Sequence, residues 1–421
     1  MTTKTRVQLS VMMFMEFFIW GAWFVTLWRY LTKIGFTGPQ IGAAYSTTGW
    51  AAIISPFFVG MIADRFFSTE KVLAVIHLLG GVMLYWASTV TAPGTFFQLL
   101  LAYTICYMPT LALVNSISFD QMENPAKEFP PVRVLGTIGW IIAGLIIGFM
   151  PKGVFGLETI EDTAIPLKIA AAMSIILGLY CLSLPHTPPK SLGKKITASD
   201  VLGLKALGLL KNRPFAVFVI SSFLICIPLS FYYQSANGFL SEVGVANPAA
   251  KMTMGQMSEI FFMLVMPFFL TRLGMKKTLL VGMLFWVGRY TLFVFGATGS
   301  AVVLLYLAIL FHGICYDFFF VAGQIYVDNK APLEVRAAAQ GFITLVTFGL
   351  GMVLGNLVNG WVTGHYTVAS ADGASHNWRM IWLFPAAMAA VVATIFALLF
   401  KDDGNALKNS TARPLDTTKK V

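Results

Sequence analysis

Long apolar segments alternate along this chain with short polar breaks. Each segment is close to the ~20 residues that a helix needs to cross the hydrocarbon core of a bilayer. The breaks carry glycine, proline or charge, which are typical of turns. The pattern predicts twelve transmembrane helices, named span 1 to span 12, at residues 9–30, 40–62, 72–92, 96–117, 133–150, 164–184, 214–236, 252–271, 278–298, 301–326, 337–360 and 378–400.

The longest interior break separates six predicted spans from the next six. A short echo supports two equivalent halves, because "SPFFVGMIADRF" near the end of span 2 resembles "MPFFLTRLGMKK" near the end of span 8. Parallel repeats with a substrate site between them are typical of a large class of secondary transporters. We expect a first six-helix half at 1–190, a cytoplasmic linker at 191–213, a second six-helix half at 214–400 and a cytoplasmic tail at 401–421.

Composition and charge agree with an all-α polytopic membrane protein. Of the 421 residues, 57% are hydrophobic and only 11% are charged, whereas about a quarter are charged in soluble proteins. If both termini are cytoplasmic, 22 of the 29 Lys and Arg residues fall on cytoplasmic segments and 6 on outer ones, and Arg289 lies within a span. This positive-inside bias explains the net charge of +10 without a nucleic-acid partner.

Four ionisable side chains lie deep within predicted spans: Glu16, Glu259, Arg289 and Asp317. A charge at that depth costs about 2.5–3.5 kcal/mol on insertion scales, so such groups usually face a cavity or a partner. Glu259 and Arg289 could form a structural ion pair across spans 8 and 9, or act in transport. Asp317 has no cation one turn away in its own helix, which favours a functional role.

Helical spacing gathers polar and aromatic side chains into one stripe on each of several spans. Hydrogen-bonding groups beside aromatic faces suit a planar, multiply hydroxylated or heterocyclic solute. A structural role stays open for residues of two stripes. The tryptophans of span 1 could be packing or interfacial residues, and the histidine of span 10 could be a hydrogen-bonded core residue. The stripes are Gly313, Asp317, Phe320 and Gln324 with His312 and Tyr316 on span 10; Gln256 and Glu259 on span 8; Ser230, Tyr233 and Asn237 on span 7; Arg133, Thr137 and Trp140 on span 5; and Glu16, Trp20 and Trp23 on span 1.

The short loop between spans 2 and 3 reads "GMIADR" and carries Gly60, Asp64 and Arg65. Its charges could latch the two halves together on the cytoplasmic side, which would gate access without selecting a substrate. The chain shows no metal-ligand spacing, nucleophile elbow or phosphate loop. We therefore expect no cofactor and no enzyme activity. The pattern leaves open a carrier for a small polar solute, such as a sugar or a nucleobase, and a membrane sensor that transports nothing.

The G-x-x-x-D-R loop resembles the signature loop of the major facilitator superfamily. Longer sequence segments resemble the bacterial nucleoside:proton symporter family over essentially all twelve spans, and the sequences of spans 1 and 7 are most similar to its YegT-like branch. The resemblance implies a major facilitator fold, proton-coupled uptake of nucleosides through the bacterial inner membrane, and a monomeric carrier. The segments are "FIWGAWFVTL", "IGAAYSTTGWAAIISPFFVGMIADRF", "YMPTLALVNSISF", "FPPVRVLGTIGW", "SEIFFMLVMPFFL", "YDFFFVAGQIYVD" and "VRAAAQGF".

The same resemblance implies a substrate cavity, with Asp317 and Glu259 as candidates for the proton-coupling group. Span 7 departs from the family's permease, which has Gln and Asn where this chain has Ser230 and Tyr233; His312 likewise stands where the permease has Tyr. The nearby Gln234 and Asn237 could compensate for the missing amides, so base and ribose preference stay open. The other cavity residues implied by the resemblance are Arg133, Thr137, Trp140, Gln256, Glu259, Tyr316 and Asp317.

Overall fold

The computed structural model describes residues 1–55, 67–150, 159–189, 204–332, 335–370 and 373–401. Nine helices in these ranges are long and apolar enough to cross a membrane. The 48-residue helix Pro248–Phe295 contains two of the predicted spans. Span 6 is a shorter apolar helix, and the described part of span 2 ends at Ser55. Each of the twelve predicted spans therefore corresponds to helix, and the chain is an all-α polytopic membrane protein.

Many helices begin and end within a few residues of the predicted boundaries, but span 5 begins at Pro125 and not at residue 133, and span 1 begins at Thr3 and not at residue 9. Several spans consist of two or three consecutive helical pieces, and short elements connect others. In the first half, span 1 is Thr3–Trp23 and Leu27–Lys33, span 2 is Gly38–Ser55, span 3 is Thr69–Ala87, span 4 is Pro93–Tyr107 and Thr110–Asp120, span 5 is Pro125–Phe149 and span 6 is Ile165–Cys181. In the second half, span 7 is Arg213–Glu242, spans 8 and 9 are Pro248–Phe295, span 10 is Val302–Tyr316, Asp317–Val321 and Ala322–Lys330, span 11 is Arg336–Thr344, Leu345–Gly351 and Met352–His365, and span 12 is Trp378–Leu399. 3₁₀ turns cover Leu204–Lys211 and Gly299–Ala301, and strands β1 (Thr367–Ser370) and β2 (Gly373–His376) form an antiparallel hairpin.

Three backbone features depart from the regular helical pattern. The predicted break between spans 8 and 9 is a single residue, Gly274, whose φ of 74° is readily adopted only by glycine. Spans 10 and 11 each contain a π-helical turn, at Asp317–Val321 and Leu345–Gly351. A π turn changes the angular spacing of the residues that follow it. The expectation that Asp317 and Gln324 share one face, which assumed a regular α-helix, therefore does not hold in detail.

The packing of the helices repeats between the two halves. Span 1 packs against spans 5 and 6, and span 7 packs in the same way against spans 11 and 12. The structure thus reproduces the internal repeat that the two "PFF" phrases indicated. Of the expected linker and tail, residues 190–203 and 402–421 lie outside the described residues, and so does the predicted gating loop with Gly60, Asp64 and Arg65.

The halves contact each other along spans 2 and 11 and along spans 5 and 8. Glycine faces allow these close approaches: a Cβ atom on Gly42 would lie 2.9 Å from Gly360 Cα, and one on Gly144 would lie 2.6 Å from Thr253 Cγ2. These contacts lie at one end of the bundle, which also contains the β-hairpin. We call it the closed end, formed by residues 24–42, 144–148, 159–165, 237–253, 355–370 and 373–378.

An aromatic side chain and a carboxylate reinforce the closed end. The ring of Trp28, from the first half, packs on Gly238 of span 7 and lies 5.1 Å from the ring of His376 and 5.6 Å from that of Trp378. Glu242 fixes this pair, because its carboxylate accepts hydrogen bonds of 2.7 Å from His376 Nδ1 and from Trp378 Nε1. The hairpin is thereby tied to span 7 and to the first half.

Candidate substrate site between the two halves

A continuous line of aromatic rings crosses from the first half into the second. The ring of Trp20 lies 5.5 Å from that of Trp140, and Phe24 lies 6.5 Å from Trp140 and 5.6 Å from Tyr233. We call these four residues the aromatic bridge. Trp20, Trp140 and Tyr233 are half-buried, so part of each side chain is left uncovered by the protein. Such surfaces suit the flat face of a planar ligand.

Polar groups of the second half meet where the aromatic bridge ends. The hydroxyl of Tyr233 lies 3.4 Å from His312 Nε2, and the carboxylate of Glu259 approaches the same nitrogen at 3.9 Å. The ring of Tyr316 lies 5.7 Å from the imidazole. Spans 7, 8 and 10 therefore bring Tyr233, Glu259 and Tyr316 together, with His312 at their centre.

Arg133 supplies a cation from the opposite half. Its guanidinium lies 4.2 Å from the centre of the Phe17 ring, which holds it on the inner side of span 5. The positive charge of Arg133 interacts with the negative charge of Glu259. Because both side chains are only half-buried, a polar ligand between them could contact both.

Asp317 lies at the start of the π turn of span 10 and is fully buried. Neither carboxylate oxygen has a hydrogen-bond partner among the described residues. The nearest charge that acts on it is the carboxylate of Glu259, which is repulsive. An unpaired buried carboxylate is costly, so it either binds a proton or is paired by a ligand. π turns frequently occur at functional sites, in line with both roles.

Two of the predicted residues stand beside this site without a described partner. Thr137 is half-buried on span 5 between Arg133 and Trp140, and Gln256 is buried on span 8 one turn before Glu259. Within the described part of the chain, neither side chain makes a hydrogen bond. Their polar atoms are therefore available to a ligand.

Asn237 lies one helical turn beyond Tyr233 on span 7, and its side chain is bonded into the closed end. Its Nδ2 donates a 2.9 Å hydrogen bond to Oε2 of Glu161, which belongs to the segment before span 6. The same oxygen accepts from the backbone N–H of Ala249 at 3.2 Å and pairs with the Arg29 guanidinium at 3.2 Å. Burial raises the pKa of Glu161, and Arg29 offsets only part of that shift. We call these four residues the Glu161 cluster; it joins the two halves.

Glu16 has a local explanation inside the first half. Its carboxylate lies 3.0 Å from His77 Nε2 and accepts a 2.5 Å hydrogen bond from Thr110. Trp23, from the same predicted stripe, donates to the hydroxyl of Tyr103 at 3.2 Å. Of that stripe, Trp20 belongs to the aromatic bridge, and the ring of Trp23 lies 5.5 Å from that of Phe24.

Sequence patterns missed two features of the site. Glu259 and Arg289 do not form the ion pair that was held open above, because no described carboxylate lies within 4.0 Å of Arg289. Instead His312 lies between them, with its Nδ1 3.1 Å from Arg289 Nη1. The Glu161 cluster was also missed. A weak signal for it was the acidic pair Glu161 and Asp162 in an otherwise polar break.

Comparison with known proteins places the chain in a family. The sequence profile described as "Nucleoside H+ symporter" matches residues 1–405. The chain is 48% identical over 406 residues to YegT of Escherichia coli (strain K12), covering 96% of this chain and 95% of that protein. It is 34% identical over 412 residues to the nucleoside permease NupG of the same organism, covering 94% and 96% of the two chains.

A solved structure agrees with the fold. The crystal structure of nucleoside transporter NupG superposes with a TM-score of 0.84 at 33% sequence identity, and the match covers 95% of this chain and all of that one. The shared architecture includes both halves and the space between them. The chain belongs to the nucleoside H+ symporter family, with the fold of the major facilitator superfamily.

Proposed function

We propose that this protein imports nucleosides by proton symport, through alternating access to a site between its two halves. The observation that carries the proposal is the aromatic bridge, which ends at the cluster of Tyr233, His312 and Glu259 and faces Arg133 across the cavity. This arrangement offers ring faces for a base and hydrogen-bonding groups for ribose and base edges. The family profile and the similarity to a nucleoside permease support the choice of substrate class.

Each side chain has a proposed role that follows from its chemistry. Trp140 and Tyr316 would stack on the base, since aromatic faces are the common platform for nucleobases. The polar side chains at the site would bind the polar edges of the nucleoside, while Asn237 would hold the closed end through Glu161. The proposed polar contacts are Arg133, Thr137, Tyr233, Gln256, Glu259 and Asp317.

The proton would be exchanged at Asp317 or Glu259. A deprotonated carboxylate in the closed cavity carries a desolvation cost that a bound proton removes. With a proton and a nucleoside bound, the carrier could then switch from the outward-open to the inward-open state. Loss of the proton on the cytoplasmic side would release the nucleoside. With both termini in the cytoplasm of a bacterial cell, the closed end faces outward, and the loop of Gly60, Asp64 and Arg65 would latch the opposite side. We propose a monomer as the transporting unit and keep the domain limits given above.

Uptake measurements test this proposal against its alternatives. Cells lacking their own nucleoside carriers and expressing this protein should accumulate tritiated uridine and adenosine, and an uncoupler should abolish the accumulation. An excess of unlabelled nucleoside should compete, whereas free nucleobase or sugar should not. Competition by a sugar or nucleobase alone would assign the site to another solute. No transport of any of the three classes by reconstituted protein would favour a sensor.

The coupling role of Asp317 needs a separate variant. Asp317→Asn should retain nucleoside exchange at equal pH on both sides but lose uphill accumulation, because the amide cannot exchange a proton. Glu259→Gln is the matched comparison. If Asp317→Asn accumulates nucleoside with the full proton-gradient dependence of the wild type, Asp317 does not carry the proton.

A further inference from the structure

Arg289 is a fully buried cation on span 9. Its guanidinium lies 3.4 Å from the centre of the Tyr232 ring and 5.5 Å from that of Trp286. No described carboxylate lies within 4.0 Å of it. A charge at this depth is costly and usually has a function. The contact that Arg289 makes toward the substrate site is the one to His312.

The chemistry of the two side chains fixes the protonation state of the imidazole. A guanidinium has donors and no acceptor, and it stays protonated in proteins. The contact of 3.1 Å between Arg289 Nη1 and His312 Nδ1 is therefore a hydrogen bond only if Nδ1 is the acceptor. In a neutral imidazole whose Nδ1 accepts, the hydrogen sits on Nε2. Arg289 thus selects one of the two tautomers.

The remaining nitrogen points into the candidate site. Nε2 lies 3.4 Å from the Tyr233 hydroxyl and 3.9 Å from Glu259 Oε2. The second distance is too long for a hydrogen bond, so the N–H can still be shared with a ligand. The charged or titratable groups that face His312 are Arg289 of span 9, Glu259 of span 8, Tyr232 and Tyr233 of span 7, and Tyr316 of its own helix.

Packing holds the imidazole in this orientation. The ring of Tyr232 stacks on it at 4.9 Å with an interplanar angle of 25°, and Tyr232 is also the ring beneath the guanidinium of Arg289. On the other side, a Cβ atom on Gly255 would lie only 3.2 Å from His312 Cβ. Tyr232, Arg289 and His312 therefore form one packed unit, in which the Nε2 edge of the imidazole faces Tyr233 and Glu259.

We propose that Arg289 is a positioning residue that presents His312 to the cavity as an Nε2–H donor and prevents His312 from taking up the symported proton. One part of this proposal rests on the proposed function: the group that accepts the hydrogen bond from His312 Nε2–H is an oxygen or ring nitrogen of a nucleoside. A second proton on His312 would have to displace Arg289 from Nδ1 and would place two cations side by side. The proton therefore stays with the carboxylates.

Nitrogen-15 NMR of the full-length protein, labelled at histidine, tests the tautomer directly. The chain has 5 histidines, and the His312→Gln variant identifies the signals of His312 by their loss. We expect a protonated Nε2 and an unprotonated Nδ1 from about pH 5 to pH 8. The opposite tautomer, or a doubly protonated ring within that range, would overturn the proposal. This measurement uses the wild-type fold and no nucleoside, so it stands even if the proposed substrate is wrong.

Nucleoside binding by variants tests the consequence. In Arg289→Met the second cation is gone, and Nδ1 of His312 is free to take a proton. Relative to the wild type, its affinity for uridine should then fall as the pH is lowered from 7.5 to 5.5, by at most about tenfold, the limit set by a solvated imidazole with a pKa of about 6.5. The double variant with His312→Gln should lose this extra pH dependence, and Arg289→Lys, which still only donates, should not acquire it.

A purely structural role for Arg289 predicts a different result. Affinity would then fall by the same factor at every pH in Arg289→Met, and the added His312→Gln change would leave the shape of the profile unaltered. That outcome would contradict the proposal. If Arg289→Met does not fold, the spectrum of the wild type still decides between the tautomers.

Discussion

Removing the side chain of Asn237 distinguishes a gate from a substrate contact. The amide donates a 2.9 Å hydrogen bond to the carboxylate of Glu161, which is 1% exposed. A hydrogen bond to a charged group contributes about 1.5–3 kcal/mol, and each 1.4 kcal/mol changes an equilibrium tenfold. Asn237→Ala should therefore shift the equilibrium at the closed end about 10- to 150-fold toward separation of the halves, with Arg29 and Ala249 still holding Glu161.

A buried reporter cysteine can measure that shift. Thr253 is 2% exposed and packs against Gly144 across the two halves, so Thr253→Cys should react with a maleimide only when the closed end opens. In purified protein whose native cysteines are replaced, Asn237→Ala should raise the labelling rate by the factor given above.

Asn359→Ala is the matched control. Asn359 is as buried as Asn237, but it bonds to Ser230 and Ser235 within its own half. Its loss should lower stability without raising the labelling rate at Thr253→Cys. Labelling of Asn237→Ala at the wild-type rate, or an equal rise in Asn359→Ala, would refute the gating role. Weakened uridine binding with unchanged labelling would instead return Asn237 to the substrate site.

Three further predictions use the same reasoning. Burial raises the pKa of Glu161 when the halves are together, so that closed state binds a proton more tightly than an open, hydrated one. Acidification should therefore slow labelling of Thr253→Cys by more than it slows the reaction of a free thiol; this excess should disappear as pH rises through the raised pKa, and Glu161→Gln should abolish it. Gly360→Ala places a Cβ atom 2.8 Å from Gly42 Cα, and overpacking of about 1–3 kcal/mol should speed labelling about 5- to 150-fold. Trp140→Ala should weaken uridine binding measured with the tritiated ligand by about 5- to 150-fold, since stacking contributes about 1–3 kcal/mol per base, whereas Trp140→Phe should retain most of the affinity.

Hydropathy sufficed for the architecture, because the bilayer demands long apolar helices whatever their packing. The division into two halves and the polar stripes of spans 5, 8 and 10 followed from repeat and spacing. The structure brings Trp140, Tyr233, Glu259 and Tyr316 close together, as those stripes indicated. These are properties of single helices or of their order along the chain.

Features that depend on contacts between distant segments could not be predicted in this way. The π turn at Asp317 changes the spacing on which its stripe was drawn. The bond between Asn237 and Glu161 joins residues 76 positions apart, and that between Arg289 and His312 joins two different spans. Periodicity indicates which face of a helix is polar, but it does not indicate which neighbour that face meets.

Transport by purified protein in sealed liposomes is the most direct test of the central claim, that this chain couples nucleoside entry to protons. With an acidic exterior and a neutral interior, the wild type should accumulate tritiated uridine above its external concentration, and collapsing the gradient should release it. Accumulation that ignores the pH gradient would contradict the coupling. Gradient-driven accumulation of a sugar or a nucleobase but of no nucleoside would contradict the substrate assignment.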